Sequence, residues 1–219
     1  MNNFISPTSL PLITDLTNYL HAISLLENTI IIICVKDTIG ANISENEYDL
    51  FQKLGLKQII LNKNPEIGFW KGYISFIHKD VIFEKFASYN ESIEFNTRIE
   101  EINFSIFSSP FLSCNVASVT IDKVEYSENI RGLNFVIFDL INKIVIDSCA
   151  FDTHDKKRTL VRTNNPKNKS YELLNRNINE VRKNLLIDNI ITNKNLYKKG
   201  KLDFFSLVVP ISLTQLKLL

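Results

Sequence analysis

In the segment TDLTNYLHAISLLE, residues 14–27, apolar side chains recur at helical spacing. Leu16, Tyr19, Leu20, Ile23 and Leu26 form one stripe, Thr14 is placed to cap it, and His21 lies beside it toward the surface. The period then changes. Ile30 to Val35 is an unbroken apolar run that stops at Lys36 and Asp37. It is far too short to span a bilayer and reads as a buried central strand. Ser44 and Glu47 form a capping box ahead of Tyr48, Phe51 and Leu54, and Gly55 supplies the left-handed residue that ends this second helix. LKQIIL (56–61) reads as a short strand. Residues 68–86 read as one longer strand in which Tyr73, Ser75, Ile77 and Lys79 alternate with Ile74, Phe76 and His78, entered through Gly68 and Gly72.

Further along, SYNESIEFNTRIEEINFSIFSS (88–109) has strand character broken by charges and reads as an edge strand or connector. After Pro110, NVASVTIDKVEYSEN predicts a hairpin turning at Asp122 and Lys123. A second hairpin has arms from Leu133 to Leu140 and Lys143 to Phe151, turning near Asn142. Residues 155–169 read as a polar, basic loop and residues 170–189 as a helix with Leu174, Ile178, Val181 and Leu185 inward. The tail carries FFSLVVPISL, a strand ended by Pro210. Hairpins combined with connecting helices predict an α+β domain.

The 219 residues suit one domain with an extension, and 45% apolar content with 15 Phe supports a real core. The N-terminus shows neither a positive n-region nor a continuous apolar core, so the expected location is cytoplasmic, with no membrane span. Cys34, Cys114 and Cys149 are odd in number and widely spread, which suits buried thiols rather than disulfides or metal ligation. The net charge of +1 hides a split. Residues 155–201 hold 13 Lys/Arg against 4 Asp/Glu, and residues 1–154 hold 11 against 19. A basic stretch of this kind can face phosphates or anionic glycans, but no aromatics interleave with it as a nucleic-acid platform requires, so no nucleic-acid partner is expected.

No nucleophile elbow, phosphate loop, dinucleotide fingerprint or zinc motif is present, so the expectation is a non-enzymatic chain without cofactor or metal. Asp152, Thr153 and His154 suggest a triad at first sight. On an extended segment, however, Asp152 and His154 share a face while Thr153 points away, and the plainer alternative is a cap on the chain leaving the strand. Arg131, beside Gly132 and near Asn134, can present its donor fork to a carboxylate or to sugar hydroxyls, or else pair with a nearby acid such as Glu128. Trp70, the single tryptophan, sits between Phe69 and Lys71. It offers a stacking face, or else a partly buried core residue.

The stretch NVASVTIDKVEYSENIRGLNFVIFDLINKIVIDSCAFDTH resembles the first half of the interleukin-like EMT inducer (ILEI, PANDER-like) domain. The likeness lies in the N-x-A-x-V-x-I pattern, the run Y-S-x-N-x-R-G-L-N-F-V-I-F-D and the closing F-D-T. The first part of the chain is similar to that domain's second half: a strand ending in Lys36-Asp37, a capped helix ending in Leu54-Gly55, and GFWKGYISFIHKD. Together these cover rather more than half of the chain, but their order is reversed. A circular permutant, neighbouring parts of two tandem copies, and two chains completing each other all account for that order. Helices on both outer flanks favour tandem-copy ancestry.

The resemblance implies a compact β-β-α domain, two mixed or antiparallel sheets with flanking helices. Residues 1–88 form the second-half-like segment, 89–110 a connector, 111–189 the first-half-like segment and 190–219 a tail. It also implies a lectin-like, non-enzymatic module accessory to a glycan-modifying enzyme such as a glycosyltransferase. The ligand would be a hexose or N-acetylhexosamine. Carried over by position, Asp37 would accept sugar hydroxyls and Arg131 would donate to them, with Asn134 orienting Arg131. The family's further Arg position holds Trp70 here, with Lys71 adjoining, so a stacking ring replaces a donor. The alternative function is a structural or interaction domain completed by strand exchange in a homo-oligomer.

Overall fold

A computed structural model describes residues 7–61, 63 and 70–162; the helix expected at 170–189 and the tail strand lie outside the described residues. The elements run in chain order as α1 (Leu16–Ile23), β1 (Thr29–Lys36), α2 (Glu45–Lys53), α3 (Gln58–Leu61), β2 (Tyr73–His78), β3 (Val81–Phe86), β4 (Ile93–Ile99), β5 (Ile102–Ser109), β6 (Val116–Ile121), β7 (Val124–Glu125), β8 (Gly132–Asp139), β9 (Ile144–Phe151) and β10 (Leu160–Val161), after a 3-10 turn at Pro7–Leu12. The fold is mixed α+β, mostly strands with few helices. None of the described helices is long and apolar enough to cross a membrane.

The strand before α2 and the hairpin near residue 140 pair within one molecule. β1 and β8 are antiparallel over their whole length, from Thr29 opposite Asp139 to Lys36 opposite Gly132. β2 flanks β1 on its other side, Ile30 opposite His78. Alternation along β1 shows why its sequence is apolar on both faces. Ile31, Ile33 and Val35 join a core with Tyr19, Leu20, Ile23, Phe51, Phe135 and Phe151 under the helices. Ile30, Ile32 and Cys34 join a second core with Phe76, Phe104, Ile106, Val119 and Val136 against β5 and β6. Helices, the arm β3-β2-β1-β8-β9-β10 and the arm β4-β5-β6-β7 thus stack as layers. The two arms are not the separate sheets expected. A parallel bridge, Lys36 opposite Ser109, joins them into one curled ten-stranded sheet.

The capping box forms as read: Ser44 Oγ accepts from the Glu47 amide and Glu47 Oε2 from the Ser44 amide, at 3.3 and 2.7 Å. Gly55 takes φ +83° just past the helix. Asp122 and Lys123 both have positive φ, the geometry of a type I′ hairpin turn, and the β8–β9 hairpin is also as expected. Four local expectations fail. Asp15, not Thr14, caps α1, accepting from the Asn18 amide at 2.8 Å. Residues 73–86 hold two strands rather than one, since the chain reverses at Lys79 (φ +53°) and returns as β3. Residues 88–109 form the β4–β5 hairpin: among the described residues β4 is the edge strand expected, but β5 is an interior strand bonded to β4, β6 and β1. LKQIIL contains helix α3 rather than a strand. A carboxylate from a distant strand decides this: Glu84 accepts from the amides of Lys57, Gln58 and Ile59 at 2.6–2.8 Å, and also from the Tyr73 hydroxyl. The donors that open a helix are thereby satisfied from outside the helix's own sequence.

Candidate functional site

Register brings five chain ends to one end of the sheet. β1 finishes at Lys36, opposite the start of β8 at Gly132 and the end of β5 at Ser109. β9 finishes at Phe151, opposite Leu133. β2 is tied in by Ser108, whose hydroxyl accepts from the Tyr73 amide at 2.8 Å and donates to the Val35 carbonyl at 2.5 Å. The residues just outside these ends are Asp37, Trp70, Phe111, Arg131 and Asp152.

Thr153 locks the ends together. It is fully buried, and its hydroxyl donates to the Ile39 carbonyl. Gly132 has φ +93°, and a Cβ there would lie 2.5 Å from Thr153 Oγ1 and 2.6 Å from the Phe151 carbonyl oxygen. Only glycine permits that approach. Asn42 completes the lock, its Nδ2 donating to the carbonyls of Thr153 and His154 at 3.2 and 3.0 Å.

Arg131 is half-exposed and pairs with Asp152, not with Glu128: Nε and Nη2 donate to the two carboxylate oxygens at 3.1 and 2.9 Å. Asp152 Oδ1 also accepts from the His154 amide at 3.0 Å, the capping role expected for this segment. Burial works to raise the Asp152 pKa, but the Arg131 fork and the loop amides outweigh it, and the carboxyl is held below its usual value. His154 Nε2 sits 3.0 Å from the Thr38 carbonyl oxygen and 3.1 Å from its hydroxyl. A carbonyl only accepts, so the Nε2 proton points at it.

Asp37 behaves differently. It is half-buried at φ +71°. Burial raises its pKa, against the pull of His154 and Arg131, which are near enough to act on its charge. Among the described residues no hydrogen-bond donor reaches its carboxylate. Outside the β2 and β5 ends the Trp70 ring meets Phe111 edge-on, centroids 5.7 Å apart, and the Asn90 amide donates to the Trp70 carbonyl at 2.7 Å. Phe111 and Tyr89 are mostly exposed. Ser92 links to Ser109 and Ser113 at 2.9 and 3.0 Å, tying the start of β4 to the turn that carries Phe111.

Of the five residues named from sequence, Asp37 and Arg131 are thus brought within electrostatic reach. Trp70 and the partly exposed Lys71 flank the same sheet end. Asn134 is not on the surface. It is fully buried, its Oδ1 accepting from the Ile130 amide at 3.0 Å and its Nδ2 donating to the Ile130 carbonyl at 2.7 Å. It fixes the loop that carries Arg131 and offers a ligand nothing. Sequence reasoning did not name Asp152, His154, Phe111 and the serines as neighbours of this site. The FDTH run carried the first two, but their proximity to Asp37 depends on the β1–β8 register.

All three cysteines are free, Cys34 and Cys149 buried and Cys114 partly exposed. Among the described residues no three or more His, Cys, Asp and Glu side chains gather as metal ligands. A shallow depression of about 350 Å³ lies at the far end of β5, lined by Asn96, Arg98, Asn103, Ser105, Thr120 and Lys123 among others. In comparisons with known proteins, no family model, no curated protein and no solved structure matches this chain.

Proposed function

We propose that the end of the sheet bearing Asp37, Trp70 and Arg131 is a lectin-like carbohydrate-binding surface on a non-enzymatic module, a relative of the ILEI/PANDER-like domain with its two halves in reversed order. Asp37 carries the reading. A half-buried carboxylate that accepts no hydrogen bond among the described residues, within electrostatic reach of an arginine and a histidine, is suited to take sugar hydroxyls. Arg131 spends two of its five N–H donors on Asp152 and keeps three for a ligand. The Trp70–Phe111 pair supplies an aromatic edge for a sugar face, with Ser113 on the turn that carries Phe111 and Ser92 bonded to it. The site is open, so affinity is modest, and the ligand class is a hexose or N-acetylhexosamine. Lys71 adds a flanking charge, and a glycan-modifying enzyme is the natural partner of such a module.

NMR titration with a panel of hexoses and N-acetylhexosamines tests this. The expected result is saturable shifts at Asp37, Trp70 and Arg131, abolished in Asp37→Asn. No saturable shift at these residues with any member of the panel sinks the reading.

Completion by strand exchange has less support. β1 finds β8 within its own chain, so no partner strand is required to close the fold.

A further inference from the structure

We propose that the β4 edge is a self-complementary interface through which two copies of this chain pair antiparallel, about a two-fold axis at Asn96. Among the described residues β4 bonds only to β5, so its other side is a sheet edge. The direction of its backbone groups follows from β5. The Asn103 carbonyl accepts from the Asp122 amide at 2.9 Å, and the Asn103 amide donates to Asp122 Oδ1 at 2.9 Å. Asn103 therefore turns both groups toward β6, away from β4. Its register partner Arg98 occupies a non-hydrogen-bonded position and turns its own groups outward. By alternation, Asn96 and Glu94 do the same. Three N–H and three C=O groups thus face the open edge in a regular row.

Edge strands ordinarily deter pairing with charges or bulges. β4 runs without a bulge against β5 over Ile93–Ile99, and the order of its charges invites a copy of itself. With Asn96 opposite the partner's Asn96, Glu94 lies opposite the partner's Arg98, and Arg98 opposite the partner's Glu94. All three side chains are exposed on one face. Centring the axis on Glu94 or on Arg98 sets like charges opposite each other. The Asn96 register alone places opposite charges together while matching all the outward donors and acceptors, giving six backbone hydrogen bonds. This pairing does not rest on the carbohydrate reading, because Glu94, Asn96 and Arg98 are not among the residues named at the Asp37 end.

Sedimentation or light scattering of the full chain, with concentration varied, tests the interface. The expected mass at high concentration is twice the 25.2 kDa of one chain, with the Glu94, Asn96 and Arg98 amides slowed in hydrogen exchange. Arg98→Glu sets Glu opposite Glu at both symmetry-related positions and raises the dimer dissociation constant at least about tenfold. Adding Glu94→Arg to that variant restores the opposite pairs and the dimer. Asn96→Pro removes an outward amide without touching the β4–β5 ladder and abolishes dimerisation while the circular dichroism spectrum is retained. A chain that stays monomeric at all concentrations overturns the proposal. So does slowed exchange of these amides in a monomer, which means that another segment of the same chain covers the edge. A dimer indifferent to both Arg98→Glu and Asn96→Pro, or a double charge reversal that fails to rescue, likewise overturns it.

Discussion

Asp147 and Arg162 make the strongest single test of how this fold is held. Arg162 follows the last described strand, β10, and its side chain is 8% exposed; Asp147, on β9, is 3% exposed. Nε and Nη2 donate to the two carboxylate oxygens at 3.0 Å each. Nη1 reaches the Pro11 and Ile13 carbonyls at 2.9 and 3.0 Å, Nη2 also reaches the Leu10 carbonyl, and the guanidinium lies 5.8 Å from the Tyr19 ring centroid. One side chain therefore pins the 3-10 turn before α1 to the sheet. Asp147→Asn leaves a buried cation without its counter-charge. Arg162→Met leaves a buried carboxylate and strands the Pro11 and Ile13 carbonyls. Each single change is expected to cost about 3–5 kcal/mol. The double variant, Asp147→Leu with Arg162→Met, leaves no buried charge. It is expected to lie within about 2 kcal/mol of the natural chain, the residue being the stranded carbonyls. Urea unfolding followed by circular dichroism measures all four corners of the cycle. Additive single costs, or a single cost below about 1 kcal/mol, refute the claim that the pair is buried and coupled.

Gly132→Ala forces a Cβ into Thr153 at a positive φ and is expected to cost about 2–4 kcal/mol in the same unfolding assay. Glu84→Ala removes the acceptor for three amides that open α3 and is expected to cost about 1–2 kcal/mol, with faster hydrogen exchange confined to residues 57–61. Because the Asp152 pKa is depressed in the fold, its contribution is present above the usual value of 3.8 and lost as pH falls below it, which an acid unfolding series of Asp152→Asn against the natural chain reads directly. Asp37 has the opposite sign. Its raised pKa means that the ionised form costs stability as pH rises, while the sugar affinity proposed above, which would rest on that ionised form, is expected to fall as pH drops through a point above 3.8; titrations at several pH values check this.

The elements that local patterns specify were legible in the sequence. Ser44, Glu47 and Gly55 bound α2 by contacts within a few residues, and Asp122-Lys123 makes its turn unaided. What was not legible depended on partners far along the chain. LKQIIL is apolar and β-branched enough to suggest a strand, and only the Glu84 carboxylate, arriving from β3, turns it into a helix. The charges on β4 masked a hairpin because its outer face is solvated while Phe95 on the inner face stacks on Phe83 at 3.9 Å. At the site, Asp37 and Arg131 were named through a resemblance, and their proximity rests on the β1–β8 register. Asn134 was expected to orient Arg131, and it acts on the backbone of the preceding Ile130 rather than on the guanidinium or a ligand. It shares a face of β8 with Val136 and Phe138, which line the second core, and that face is buried.

The pairing of β1 with β8 also sets an order of events during synthesis. The apolar strand Thr29–Lys36 leaves the ribosome long before Gly132–Asp139, about a hundred residues later. At roughly 5–20 residues per second, that strand waits on the order of 5–20 s for its longest neighbour. The β2–β3 hairpin covers one side of it early, but the other edge stays open. A nascent chain stalled before residue 132 therefore presents an isoleucine-rich edge to chaperones, and the high sequence separation of this contact makes its closure the expected slow step of folding.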